Sequence, residues 1–122
     1  MLDCIVIGLG GFTGSVLRYL AGKIPHGNPA GFPINTLLIN VLGSFVIGLA
    51  AAFAAKHSGL NPRLVLFIKV GLCGGFTTFS SFSLETFSLL RSGSYGTAVT
   101  YAILSAALGV LAVVLAHALV KP

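Results

Sequence analysis

Four long apolar stretches, separated by short polar turns, make up almost the whole chain. The stretches cover residues 2–21, 34–55, 63–90 and 95–120, and the turns between them hold prolines, glycines and single basic residues. A helix that crosses a membrane needs about 20 predominantly apolar residues, and each stretch is long enough. The pattern therefore predicts an all-α membrane protein, with residues 1–122 forming one domain of four transmembrane helices.

Composition supports the same interpretation. Of the 122 residues, 56% are hydrophobic and only 7% are charged, whereas a soluble domain carries about 25% charged residues. The net charge is +5, but the basic residues are scattered singly near the ends of the apolar stretches. That arrangement suits lipid headgroups, and nucleic acid is not expected as a partner because no basic run is present.

The basic residues give only a weak signal for orientation in the membrane. One side of the predicted bundle holds Lys56, Arg63 and Lys121, with Lys69 one to two turns into the third helix. The other side holds Arg18, Lys23 and Arg91. Because the balance is nearly even, the positive-inside rule fixes no orientation. A chain of this kind can insert both ways and pair antiparallel with itself.

The third stretch contains GLCGGFTTFSSF, residues Gly71 to Phe82, which a plain spanning helix does not need. Gly74 and Gly75 are predicted to break the helix near mid-membrane, and the freed carbonyls can be satisfied by neighbouring hydroxyls or can coordinate a cation. Phe79 and Phe82 are three residues apart and share a helical face. The positive edges of phenyl rings can line a path for a small anion, although aromatic packing alone is the alternative.

Polar and small residues recur every four residues on two other helices. The second helix carries Thr36, Asn40, Ser44 and Gly48, and the fourth carries Tyr101, Ser105 and Gly109. An amide in hydrocarbon is costly unless it is paired. Asn40 is therefore expected either to bond a neighbouring helix or to donate to a passing anion.

Three further features have a structural interpretation, and two of them, Arg18 and Glu85, also have a functional one. Gly10 and Gly14 form a GxxxG motif, which predicts close helix packing. Arg18, near the end of the first helix, either extends to the headgroups or has a structural or anion-attracting role. Glu85, one turn beyond Phe82, is a functional candidate by its position in the membrane, or it closes a hydrogen-bond network near the interface.

The sequence does not favour an enzyme. It has no HExxH motif, no pair of carboxylates close in sequence and no set of Ser, His and Asp within the apolar stretches. The two cysteines, Cys4 and Cys73, lie on different stretches and do not form a CxxC motif. Transport or a structural role is therefore expected.

The motifs of three helices resemble those of the CrcB/Fluc-type fluoride channels over nearly the full length. They are GGFTGSVLRY at Gly10–Tyr19, NTLLINVLGSFVIG at Asn35–Gly48 and GLCGGFTTFSSFSLETF at Gly71–Phe87. The resemblance implies a fluoride-selective channel of the inner (plasma) membrane that exports F⁻ passively and relieves fluoride toxicity. It also implies an antiparallel, dual-topology homodimer with two pores.

The same resemblance implies roles for individual residues. The residues that match the pore are Thr36, Asn40, Phe79, Ser80, Ser81, Phe82, Tyr101 and Ser105. The carbonyls of Gly74 and Thr77 match the site of a structural Na⁺ at the dimer centre, and Arg18, Gly75 and Glu85 are expected to be structural. A second serine stands at Ser81 where the family more often has threonine, which retains the hydroxyl.

Two rival functions share parts of this pattern. A small multidrug-type, proton-coupled exporter also has four helices and dual topology, but it needs an acid in its binding chamber, ordinarily on the first helix. Here the first helix has only Asp3 at its start, and the chain has no tryptophan for stacking. A structural membrane subunit would explain the glycine faces but not the combination of phenyl rings and hydroxyls.

Overall fold

The computed structural model describes residues 1–27 and 31–120, and within them all regular structure is helical. The first helix, α1, spans Leu2–Gly22, and α2 spans Ile34–Lys56. The third apolar stretch is divided into α3 (Pro62–Leu66), a π-helical segment (Phe67–Leu72), α4 (Cys73–Phe76) and α5 (Phe79–Arg91). The last helix, α6, spans Tyr95–Val120. Lys121 and residues 28–30 of the first predicted turn lie outside the described residues.

Four helical spans are long and apolar enough to cross a membrane: Leu2–Gly22, Ile34–Lys56, Pro62–Arg91 and Tyr95–Val120. Their mean hydropathy ranges from 1.5 to 2.5 over the most apolar window of each. The chain is thus a multi-pass integral membrane protein. The prediction of four transmembrane helices with an interrupted third helix is confirmed.

The interruption lies two residues later than the glycines that were expected to cause it. Gly74 and Gly75 are helical within α4, while Thr77 and Thr78 are extended, with ψ angles of 157° and 115°. The expectation that the glycine pair itself opens the backbone is therefore wrong. Gly75 serves close packing instead, because a Cβ there would collide with the backbone of Gly11, whereas a Cβ on Gly74 would meet nothing within 4 Å.

Glycines hold α1 against the first half of the third span. A Cβ on Gly10 would lie 2.5 Å from the Phe67 carbonyl oxygen, and a Cβ on Gly71 would lie 2.7 Å from the Ile7 carbonyl oxygen. Gly14 faces the backbone of Leu72 and Gly75 in the same way. This contact confirms the packing role predicted for the GxxxG motif, since only glycine lets the two backbones approach so closely.

The second large contact joins α2 to α6 and forms most of the buried core. Gly48 lies against Ala116 and Val113, where an added Cβ would come within 2.9 Å of the Ala116 side chain. The buried apolar residues on these two helices are Leu37, Ile39, Ala52, Ala98, Tyr101, Ala112, Ala116 and Val120. The helix break faces this pair, so the polar side chains of α2 and α6 lie beside it.

Candidate functional site

The side chain of Asn40 holds the break in the third span. Its Oδ1 accepts from the Thr78 backbone N–H at 2.7 Å, and its Nδ2 donates to the Thr78 carbonyl at 3.0 Å. A primary amide carries the same donor and acceptor as a peptide group. Asn40 therefore supplies, from α2, the two backbone partners that Thr78 lacks in its extended conformation, and one Nδ2 proton remains available.

The charged end of Arg18 also contacts the break. Its Nη1 donates to the Thr77 carbonyl at 3.2 Å. The Thr77 hydroxyl turns back to the Cys73 carbonyl at 2.8 Å, which satisfies the end of α4. Arg18 is thus directed to the interior of the bundle, so the alternative that it extends to the headgroups does not describe this structure.

Thr78 starts the second half of the span. Its hydroxyl oxygen accepts from the Ser81 backbone N–H at 3.1 Å, as an N-cap residue does, and it donates to Ser81 Oγ at 3.0 Å. The Ser80 Oγ lies 3.4 Å away. The hydroxyls of this stretch therefore form one short chain at the N-terminus of α5, where the helix dipole is positive.

A cavity of about 440 Å³ opens between the break, α2 and α6. Phe79 and Phe82, whose ring centroids are 5.6 Å apart, form an apolar wall, and Asn40 lies among the polar residues. Ser105 Oγ also faces this region, is buried, and has no hydrogen-bond partner among the described residues. The full lining consists of Asn40, Gly43, Ser44, Ile47, Lys69, Cys73, Gly74, Thr77, Thr78, Phe79, Phe82, Ala102, Ser105 and Ala106.

A carboxylate closes a hydrogen-bonded cluster beyond the phenyl rings. Glu85 Oε1 accepts from the Thr36 hydroxyl and Oε2 accepts from the Tyr101 hydroxyl, both at 2.7 Å. Tyr101 is fully buried, and its ring lies 5.2 Å from that of Phe82 and 5.5 Å, edge to face, from that of Phe32. Each carboxylate oxygen thus has a hydroxyl donor, which offsets much of the cost of placing an acid in the membrane.

The sequence matches the family described as "CrcB-like protein, Camphor Resistance (CrcB)" over residues 5–117. The chain belongs to the CrcB family. Curated relatives named "Fluoride-specific ion channel FluC" include one from Ruminiclostridium cellulolyticum, 43% identical over 99% of this chain and 94% of the relative. One from Rhizobium meliloti is 42% identical over 99% and 98% of the two chains. One from a strain of Thermus thermophilus is 46% identical over 94% and 91%.

Within this CrcB-family chain, the residues predicted for the pore fall into three groups. Asn40, Phe79, Phe82 and Ser105 line the cavity. Thr36 and Tyr101 instead donate to Glu85, so their hydroxyl protons are directed to the carboxylate. Ser80 and Ser81 bond Thr78 at the start of α5, beside the cavity rather than in its wall.

Three residues near the site were not predicted to belong to it. Thr78 caps α5, and the helix restart at Thr78-Phe79-Ser80-Ser81 is a typical N-cap pattern that could have indicated this role. Lys69 lines the cavity, and a lone charge inside an apolar stretch was itself a signal. Phe32 contacts Tyr101 from the segment before α2, which helical periodicity does not detect.

The carbonyls expected to hold a cation have the chemistry that a hard cation prefers. The Gly74 carbonyl lies one helical turn before Thr78, whose N–H donates to Asn40 rather than back to Gly74. The Thr77 carbonyl accepts from Arg18 and has a second lone pair. Two carbonyls fall short of the roughly six oxygen ligands that hard cations take, so the pair fits such an ion only as part of a shared site.

Proposed function

We propose that this chain is a fluoride-selective channel that lets F⁻ leave the cell passively through the inner membrane and so relieves fluoride toxicity. The observation that carries the proposal is the cavity in which two phenyl rings, an amide and a hydroxyl without a partner among the described residues meet at a helix break. The relatives named as fluoride-specific ion channels support it, because they are 42% to 46% identical to this chain over 94% to 99% of its length.

The chemistry of the cavity suits a small, strongly hydrated anion. Leaving water requires replacement donors, and conduction requires that no single donor hold the ion too firmly. The free Nδ2 proton of Asn40, the Ser105 hydroxyl and the positive edges of Phe79 and Phe82 are each weak donors. Together they offer several partial contacts, and the Glu85 carboxylate, which accepts from Thr36 and Tyr101, lies outside the cavity lining.

The functional unit that we propose is an antiparallel homodimer. The Phe79 side chain is 79% exposed although it belongs to the cavity wall, and Gly74 has open space in front of it. A second copy covering this face would enclose the cavity wall and keep lipid away from the polar groups at the break. The seven basic residues divide four to three between the predicted sides, and so small a bias suits dual topology.

A structural Na⁺ at the centre of that dimer is part of the proposal. The carbonyls of Gly74 and Thr77 from both copies would hold it, and the ion would supply positive charge that ties the two breaks together. Replacing Na⁺ with N-methylglucamine during purification is expected to lower the thermal stability of the dimer. Equal stability in the two cations would remove Na⁺ from the proposal without affecting the fluoride pathway.

Efflux from proteoliposomes loaded with KF tests the function directly. A potassium ionophore is added and released F⁻ is read with an electrode; we expect rapid, electrogenic F⁻ release with Cl⁻ nearly excluded. Phe82→Ile removes the ring edge and should slow F⁻ release greatly while the dimer stays intact. If correctly inserted dimer releases no F⁻, the channel proposal fails, and normal flux through Phe82→Ile would remove Phe82 from the pathway.

A further inference from the structure

We infer that Lys69 forms an anion-recruiting site at one mouth of the cavity, a role that rests on the channel proposed above. Lys69 lies in the π-helical segment of the third span and lines the cavity together with Asn40 and Ser105. Lys69, Cys73 and Thr77 follow one another at four-residue intervals, and all three line the cavity. Lys69 thus lies on the helical face that borders the cavity.

The cavity holds no negative charge that could neutralise Lys69. The sequence has two acids. Asp3 pairs with Arg63 at 3.0 Å, and Glu85 accepts from Thr36 and Tyr101 beyond the phenyl rings. Neither acid lines the cavity, and Lys69 has no hydrogen bond or ion pair among the described residues. An unneutralised cation in a space of low dielectric attracts a mobile anion.

Neutral groups around the cavity reinforce this preference. The N-terminus of α5, a helix of 13 residues, begins at Phe79 in the cavity wall and presents the positive end of its dipole there. The buried Ser105 Oγ has no partner among the described residues and can donate a proton. The matching ligand is a small anion such as F⁻, which Lys69 would concentrate before the ion reaches Asn40 and the phenyl rings.

The order of residues along the helices places Lys69 at one end of the path proposed for the anion. On α2, successive turns carry Ile47, Ser44, Asn40 and Thr36, and the first three of these line the cavity. Lys69 lies on the same side of the break as α3, whereas Phe82 and Glu85 lie beyond it on α5. Each subunit therefore has a cationic mouth at one end and the Glu85 cluster toward the other.

The test compares Lys69→Gln with Lys69→Arg and with Arg63→Gln, a matched loss of one positive charge on the same side but outside the cavity. F⁻ flux is measured against F⁻ concentration at ionic strengths of about 10 mM and about 1 M, adjusted with an impermeant anion. At low ionic strength and subsaturating F⁻, Lys69→Gln should reduce flux roughly tenfold, the lower end of electrostatic steering. Saturating flux should be unchanged, and Lys69→Arg should retain wild-type behaviour.

High salt separates recruitment from a merely structural effect. At about 1 M the Debye length is only about 3 Å, so the difference between Lys69→Gln and the wild type should nearly vanish. Circular dichroism melts of the purified variants check that each is folded. A salt-independent loss of flux, an equal loss in Arg63→Gln, or no change in Lys69→Gln would each overturn the site while leaving the channel intact. Absence of F⁻ flux in the wild type would instead overturn the channel itself.

Discussion

Replacing Asn40 with alanine should destabilise the fold strongly, because Asn40 is the side chain that pairs both backbone groups of Thr78. Thr78 is 8% exposed, so its N–H and carbonyl lose their partners in a site with little access to water. Each buried backbone group left unsatisfied costs about 1–3 kcal/mol. The expected loss in the free energy of unfolding is therefore about 2–6 kcal/mol for Asn40→Ala.

Titration with sodium dodecyl sulfate, followed by circular dichroism, measures this loss. Asn40→Leu keeps most of the volume and should be destabilised nearly as much, which separates hydrogen bonding from packing. Asn61→Ala is the matched control, because Asn61 caps the exposed start of α3 with one bond of 2.9 Å and should cost about 1 kcal/mol. If Asn40→Ala and Asn40→Leu unfold at the same mole fraction of sodium dodecyl sulfate as the wild type, the role of Asn40 in holding the break is refuted.

Three further substitutions probe the same framework by the same measurement. Gly14→Ala places a Cβ against the Leu72 and Gly75 backbone and should cost about 1–3 kcal/mol, whereas Gly22→Ala, which meets nothing within 4 Å, should be neutral. Tyr101→Phe removes a bond to the Glu85 carboxylate and should cost about 1.5–3 kcal/mol, against no change for Tyr95→Phe, which is 65% exposed. Arg18→Gln loses its charged bond to Thr77 and should lower stability by a similar amount, while the exposed Arg91→Gln should not. Equal stability within any of these pairs would contradict the corresponding contact.

The number and approximate extent of the membrane helices could be predicted from the sequence because hydropathy acts over about 20 residues. The position of the break in the third span could not be predicted from the sequence. Gly74 and Gly75 have the conformational freedom to open a helix, but both are helical. Gly75 is packed closely against the backbone of Gly11 in α1. The chain opens instead at Thr77 and Thr78, where Asn40 and Arg18 supply partners from other helices.

Individual site residues were predictable where one helix face carries them. Asn40 and Ser105 belong to four-residue stripes, and both line the cavity. The hydroxyls of Thr36 and Tyr101 donate to Glu85, which lies on another helix. The spacing of residues within one helix does not reveal such a partner, so these two hydrogen bonds could not be predicted from the sequence. Lys69 was visible as a lone charge, but only the packing of α2 and α6 around the break shows which space it borders.

The charges of one subunit are arranged asymmetrically along the cavity, and this asymmetry has a consequence for the proposed dimer. Lys69 lies on one side of the break, and Glu85 lies beyond the phenyl rings on the other. A single pore with this arrangement would attract anions more strongly from one side of the membrane than from the other. Two antiparallel copies place a cationic mouth on each side, so the asymmetries of the two pores cancel. Dual topology would thus give equal access to F⁻ from both sides without requiring either pore to be symmetric.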